Sequence, residues 1–475
     1  MGELGKENEQ QQHQLKRSIS LFQAIMYGTG LILGAGIYVI IGDVAGIAGN
    51  AMWISFIIAA IIALLTGFSY AELSSIFPRS AAEYIFAKNV FGSNFIASTI
   101  GCLTIFVAIV SAATVAIGFS QYLAIFLPQF PTVLAAIAII SILSAVSFYG
   151  ISESLRISTI FTFVEIAGLI IIIIAGFWFS SITSVNYYEM PTKNNISTHI
   201  AALGAILSSA GLIFFAYFGF ENIVNIADET KNPTKTIPKA LLISIIATTI
   251  IYVLVALSTS ALVGWKELSL SEAPLALAAE KAFGNHGVIM LSLIALFATS
   301  NTSLMMLISA SRIIYGMSRN RGGDDNNTPF QSSSVFPSSL ARVHHLQRTP
   351  WIAIITTMLF AMLTVGFSLG DISGIANISV FGIFLVYASV NLCLIWFRFK
   401  KPSVKRPFLS PLNIGKFPIL SMIGLLTSVI MLFQFNFEII KGGFLVLLAI
   451  TILSLILSKN KNILGIFHRS KNSNK

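Results

Sequence analysis

Three carboxyl side chains stand inside long apolar runs of this chain: Glu72, Glu165 and Glu221. An acid at the centre of a membrane helix costs about 2.5–3.5 kcal/mol on insertion scales, so each invites a functional reading. Glu165 lies nine residues past Arg156, which places it about 13 Å into a hydrocarbon core about 30 Å thick. A carboxyl that is protonated in one half of a cycle and charged in the other can couple a proton to transport. The bland alternative is a hydrogen-bonded glutamic acid that ties its span to a neighbour. Glu72 lies about a turn from the end of its run and reads as structural, paired with a basic residue. Glu221 reads as the cap of a half-helix, or as a gating or substrate group. His13, His199, His286, His344, His345 and His468 sit in tails, loops or span ends, which leaves an intramembrane metal or histidine-based enzyme without residues. No P-loop, nucleophile–base pair or cofactor motif is present. The hydroxyls of Thr299, Ser300, Thr302 and Ser303 could face a cation, but such groups more often bond back to their own helix.

Backbone groups offer a second chemistry. The run GTGLILGAGIYV carries Gly28, Gly30, Gly34 and Gly36, and glycine weakens a helix by about 1 kcal/mol per residue. Close helix packing explains such glycines as well as a break does. The run SSAGLIFFAYFGFENIV shifts the balance, because Gly219 among aromatics is followed by Glu221. At the first turn of a new half-helix that acid meets the positive end of the dipole. Interrupted first and sixth spans are the pattern of an inverted-repeat transporter. A break in span one frees N–H groups at Ala35, Gly36 and Ile37 for a carboxylate. The breaks also free carbonyls at Ile32, Phe215, Ala216 and Phe218 for an ammonium. A ligand with both groups about one bond apart is an α-amino acid, and such backbone is tolerated at mid-membrane where it lines a cavity.

The elements that position these groups are legible from composition. Of 475 residues 55% are apolar and 10% charged, with a net charge of +10. A soluble domain carries roughly 25% charged residues, and its core cannot hide this much apolar surface. The expected fold is therefore all-α and polytopic, in a lipid bilayer. Twelve spans are read: 20–42, 50–77, 95–126, 131–149, 157–180, 200–226, 239–264, 288–317, 351–370, 374–399, 416–436 and 440–458. With the N-terminus inside, 25 of the 29 Lys and Arg residues fall inside, and Lys193, Lys266, Lys281 and Lys441 fall outside. That asymmetry puts both termini in the cytoplasm and explains the basic surplus without nucleic acid. Five spans is an odd number, so spans 1–5 (20–180) and 6–10 (200–399) form two copies of opposite orientation. Two extra helices (400–458) follow, between a disordered tail (1–19) and a basic one (459–475). Residues 78–93 suit an interfacial amphipathic helix, and 318–349 a flexible polar loop. The lack of a leader fits a cell membrane.

Four stretches resemble the amino acid–polyamine–organocation (APC) transporters, close to the cationic amino acid transporter branch: GTGLILGAGIYVIIG, GFSYAELSSIFPRSAAEYIFAKNVFG, FFAYFGFENIVNIADETKNPTKTIPKA and SRIIYGMSRN. The resemblance implies a LeuT-like fold, with helices 1 and 6 broken in a 5+5 repeat, and coupled transport or exchange of amino acids. It puts the family's carboxylate-binding glycines on Gly34 and Gly36, its aromatic gate on Phe215 and its motif acid on Glu221. The chain departs from relatives by carrying Ala81-Ala82 where Gly-Gly is common, and by an extra polar insertion at 318–349. Glu165 stands where some proton-coupled relatives have lysine and others an acid. The substrate expected is an amino acid, moved with a proton or by exchange. A polyamine or organocation carrier would need acids in spans three, eight and ten, which have none between their ends. A channel or receptor without turnover would need a filter-like repeat, and none is found.

Overall fold

The computed structural model describes residues 15–34, 36–180, 185–191, 198–271, 273–319, 334–368 and 373–472, with backbone alone at 39, 180, 198–201, 215, 373, 375 and 458–472. In chain order the helices are α1 (Leu21–Leu33), α2 (Gly36–Ala48), α3 (Met52–Ile76), α4 (Ala82–Phe91), α5 (Asn94–Phe126), α6 (Thr132–Tyr149), α7 (Ile151–Ser180), α8 (Thr198–Phe214), α9 (Pro233–Leu262), α10 (Trp265–Leu270), α11 (Pro274–Phe283), α12 (Asn285–Ser318), α13 (Trp351–Ser368), α14 (Ser373–Lys400), α15 (Ile419–Leu432) and α16 (Phe437–Asn472). A small hairpin, β1 (Asn413–Ile414) with β2 (Phe417–Pro418), is the one sheet among the described residues. Among the described residues, ten helical stretches are long and apolar enough to cross a membrane, and two shorter apolar helices cover 202–214 and 419–432. The protein is thus an all-α polytopic membrane protein.

Both anticipated interruptions are present. A capping box at Ser20 and Gln23 starts α1. The helix stops where Gly34 turns to φ 5° and ψ −153°, and α2 begins at Gly36. Beyond α8 the chain tightens into 3₁₀ turns at Phe215–Tyr217 and again at Phe220–Glu229, on either side of Gly219 at φ 118°. A second α half-helix was expected here; the chain instead runs ten residues as 3₁₀, an unusual length for that geometry. In the packing, α9 lies against α3, α7 and α1, α12 against α5, and α14 against α15.

Three segments differ from expectation. Helix α4 does not lie on the membrane interface: Glu83, Tyr84, Ile85, Phe86, Ala87 and Val90 are all buried, because consecutive apolar residues cover every face. Residues 15–19 are not a loose tail. Leu15 and Ile19 are buried, and the backbone pairs with 229–231 through Ser18 and Ile19 N–H to the Glu229 carbonyl and Lys231 N–H to Ile19. The polar loop is anchored after its undescribed part, with Val335 N–H on the Met317 carbonyl at 2.7 Å. Residues 1–14 and 320–333 of the two segments lie outside the described residues, and the basic tail is helical as far as Asn472.

Candidate functional site

The two interruptions meet. A Cβ on Gly36 would stand 3.1 Å from the Ala216 Cα, so a larger residue there would crowd the start of α2 against the bend in span six. Gly219 serves the same junction from the other side, since its positive φ disfavours a side chain and a Cβ there would strike Leu31. Beside the junction is a cavity of about 260 Å³. Its walls include Ile32, Gly34, Gly36, Ala216 and Phe218 from the two broken spans. Ser111, Thr114 and Val115 of α5, Thr302 and Met306 of α12, and Ser379 and Val380 of α14 close it. Among the described residues the lining carries no charged side chain. A wider cavity of about 580 Å³ shares Ile40 and Val380 with the first and extends past Ser208, Gly211, Asn377 and Gln434.

The sequence candidates distribute as follows. Ile32, Gly34, Gly36, Ala216 and Phe218 line the central cavity. The Ile37 side chain is fully buried in the core. Ala35 and the side chain of Phe215 lie outside the described residues. Gly34 N–H is occupied by the Gly30 carbonyl at 3.3 Å. The freed carbonyls converge on one group that sequence reasoning missed, the Tyr252 hydroxyl of α9. It stands 2.6 Å from the Ile32 oxygen, 3.2 Å from Ala216 and 3.4 Å from Leu33. A hydroxyl has one proton to donate, so Tyr252 satisfies these acceptors one at a time and leaves capacity for another donor.

Glu165 lies fully buried, with no hydrogen-bond partner on either oxygen among the described residues. Tyr38 and Tyr252 are its titratable neighbours, and the Tyr38 hydroxyl is likewise unpartnered. One turn earlier, Thr162 accepts from Asn301 at 2.8 Å, tying α7 to α12. The acid is not among the residues lining the cavity; its neighbour Tyr252 is the group that reaches the bent backbone. Glu221 is also outside the cavity lining. Its Oε2 accepts the Gly219 N–H at 3.0 Å and the Tyr387 hydroxyl at 2.6 Å, while Oε1 accepts from Asn222 at 2.9 Å. It caps the bend and fastens it to α14. The four hydroxyls of α12 diverge rather than form one cation cage. Thr299 bonds back to Ala295, Ser303 donates to Ala112 of α5, and Thr302 faces the cavity.

On the side of the basic loops the interior is packed with aromatic side chains and ion pairs. Tyr70, Phe86, Phe220 and Tyr387 pack ring against ring. Arg312 of α12 makes a paired contact with Glu229 at 3.1 and 3.0 Å, both side chains fully buried. Glu72 takes Arg398 and Arg406 as partners. Glu83 lies between Asn225 and Tyr70, and burial, with the Glu221 carboxyl adding to it, pushes its pKa up to about 7. Glu229 carries no sequence signal of its own; Arg312 had one, as a cation within an otherwise apolar helix.

A model of the amino acid permease family matches residues 19–457. The branched-chain amino acid permease BcaP of Bacillus subtilis is 28% identical over 417 residues, 84% of each chain. The methylthioribose transporter of the same organism is 28% identical over 418 residues, again 84% of each. The mitochondrial cationic amino acid transporter 3 of Arabidopsis thaliana is 27% identical over 432 residues, 86% of this chain and 67% of that one.

Proposed function

The chain belongs to the amino acid permease family, and on that premise we propose that it is a secondary active transporter of a neutral, apolar α-amino acid, working by alternating access. A single observation carries this reading: backbone from two broken spans meets at a cavity whose remaining walls are apolar groups and hydroxyls. The N–H groups opening α2 face the substrate carboxylate. The carbonyls of Ile32 and Ala216 accept its ammonium, displacing Tyr252. The side chain then meets Ile40, Val115, Met306 and Val380. The volume is below the roughly 300–1,000 Å³ of drug-sized ligand sites, which suits a small substrate. A cationic amino acid or polyamine is disfavoured, because no described residue lining the cavity is acidic.

In this reading twelve spans form a 5+5 inverted repeat with two appended helices, and spans 1, 2, 6 and 7 rock against the rest. The basic side faces the cytoplasm of a plasma membrane. The wider cavity is the outer vestibule, Phe215 is the gate between vestibule and site, and the packed side is closed to the cytoplasm. Glu165 is the proton-coupling group, acting on the site through Tyr252.

Uptake of a labelled amino acid panel into proteoliposomes, with and without an inward proton gradient, tests the whole. Saturable uptake of branched-chain or other apolar amino acids driven by the gradient is expected. Uptake confined to vesicles preloaded with amino acid would instead make it an exchanger and leave Glu165 structural. Preference for arginine or a polyamine would overturn the substrate assignment.

A further inference from the structure

The linker joining α14 to α15, residues 401–418, closes a pocket of about 190 Å³ lined by Arg398, Pro402, Arg406, Leu409, Gly415 and Lys416. From Arg398 to Lys416 the sequence holds six cations (Arg398, Lys400, Lys401, Lys405, Arg406 and Lys416) and no acid. The structure brings one carboxylate to them. Glu72 of α3 accepts from Nε and Nη2 of Arg398, from the Ser410 N–H at 2.9 Å, and pairs with Arg406 at 3.3 Å. One carboxylate against two guanidiniums leaves the pocket positive, and Lys416 at its rim is exposed. Arg406 donates to the carbonyls of Lys401, Pro402 and Val404, which folds the linker around its own cation. The rim is also apolar: Phe399, Leu409, Leu412 and Ile414 are each more than half exposed, where the chain leaves one membrane helix and enters the next.

Cations that converge on a pocket suit a phosphate. Exposed apolar side chains beside them suit the boundary between headgroups and acyl chains. A free phosphate ion uses the first feature alone, whereas an anionic lipid uses both. We propose that this pocket holds the phosphate headgroup of an anionic phospholipid in the leaflet that meets this end of α14. Leu409, Leu412 and Ile414 then seat at the acyl boundary. Since Glu72 engages the same guanidiniums from α3, the headgroup braces the junction of α3 with α14.

The test titrates the full-length protein in mild detergent with short-chain phosphatidylglycerol, phosphatidylcholine of the same chain length, and inorganic phosphate. Retained lipid is read by native mass spectrometry and stability by the thermal midpoint. Phosphatidylglycerol is expected to bind at least tenfold more tightly than phosphatidylcholine. Removing one cation, in Lys416→Gln or Arg406→Gln, should weaken it about fivefold, and Lys441→Gln near the start of α16 should leave it unchanged. Leu412→Ser with Ile414→Ser should weaken the lipid while leaving phosphate unaffected. Equal retention of the two lipids would overturn the proposal, as would an undiminished phosphatidylglycerol preference in Lys416→Gln, an exposed site whose replacement leaves the Glu72 cluster intact. A midpoint shift reproduced in full by inorganic phosphate would overturn the lipid as the source.

Discussion

At the residue scale the proposed mechanism turns on a glycine, a hydroxyl and a buried acid. A Cβ on Gly36 would already crowd the Ala216 backbone at 3.1 Å, so the branched side chain of Gly36→Val should abolish amino acid binding, measured by scintillation proximity, while the protein still elutes as a monodisperse peak. Wild-type affinity in that variant would remove the α2 start from the site. Tyr252→Phe deletes the donor to the Ile32 and Ala216 carbonyls. The substrate ammonium displaces that hydroxyl, so its loss destabilises the empty site by about one net hydrogen bond, about 1 kcal/mol, and the expected gain in apparent affinity is about fivefold. Glu165→Gln keeps the shape of a side chain that has no partner among the described residues, so it should fold normally and flatten the pH dependence of uptake. An unaltered pH profile would strip Glu165 of its coupling role. Residues at this scale were unequally legible. Gly34 and Gly36 stood out because several glycines crowd one apolar run. Tyr252 was invisible, since an aromatic in a membrane span looks like any other until a partner 220 residues away is placed beside it.

At the scale of elements, composition carried the helices and failed at α4. Sixteen residues of mixed polarity read as an interfacial helix, yet Tyr84, Ile85 and Phe86 in succession leave no polar face, and the helix is drawn into the protein. Burial of that helix has a measurable consequence in Glu83. Its folded value of about 7 lies above the ordinary 4.5, so the folded state holds the proton more tightly than the unfolded chain. This contribution to stability is complete below about pH 4.5 and is lost as pH rises toward 7. The thermal midpoint should therefore fall between about pH 5 and pH 7, and Glu83→Gln should lessen that fall; parallel curves for the two proteins would contradict it. The interruption of span six was legible from Gly219 and Glu221. Its 3₁₀ geometry was not, because i→i+3 and i→i+4 ladders share one apolar pattern over so few residues.

At the scale of the whole molecule, packing on the basic side rests on contacts between distant segments, which no single stretch of sequence announces. Arg312 and Glu229 form a fully buried pair. Removing one member of such a pair leaves a bare charge and costs about 3–5 kcal/mol, whereas replacing both with apolar groups is often neutral. Arg312→Met alone should lower the thermal midpoint sharply, and Arg312→Met with Glu229→Met should recover most of it. An equal loss in the double variant would mean that the two act separately. The Tyr252 hydroxyl bears on the cycle as well as on binding. A carrier that has released its cargo must cross back with its polar backbone facing a dry interior, and unsatisfied carbonyls there would raise the barrier to an empty return. In the proposed cycle Tyr252 supplies them with a donor whenever the amino acid is absent, and the unloaded protein is expected to reorient without a counter-substrate. Without that hydroxyl the empty crossing becomes the slow step, and Tyr252→Phe should move the protein toward obligatory exchange, seen as a higher ratio of uptake into preloaded over unloaded vesicles.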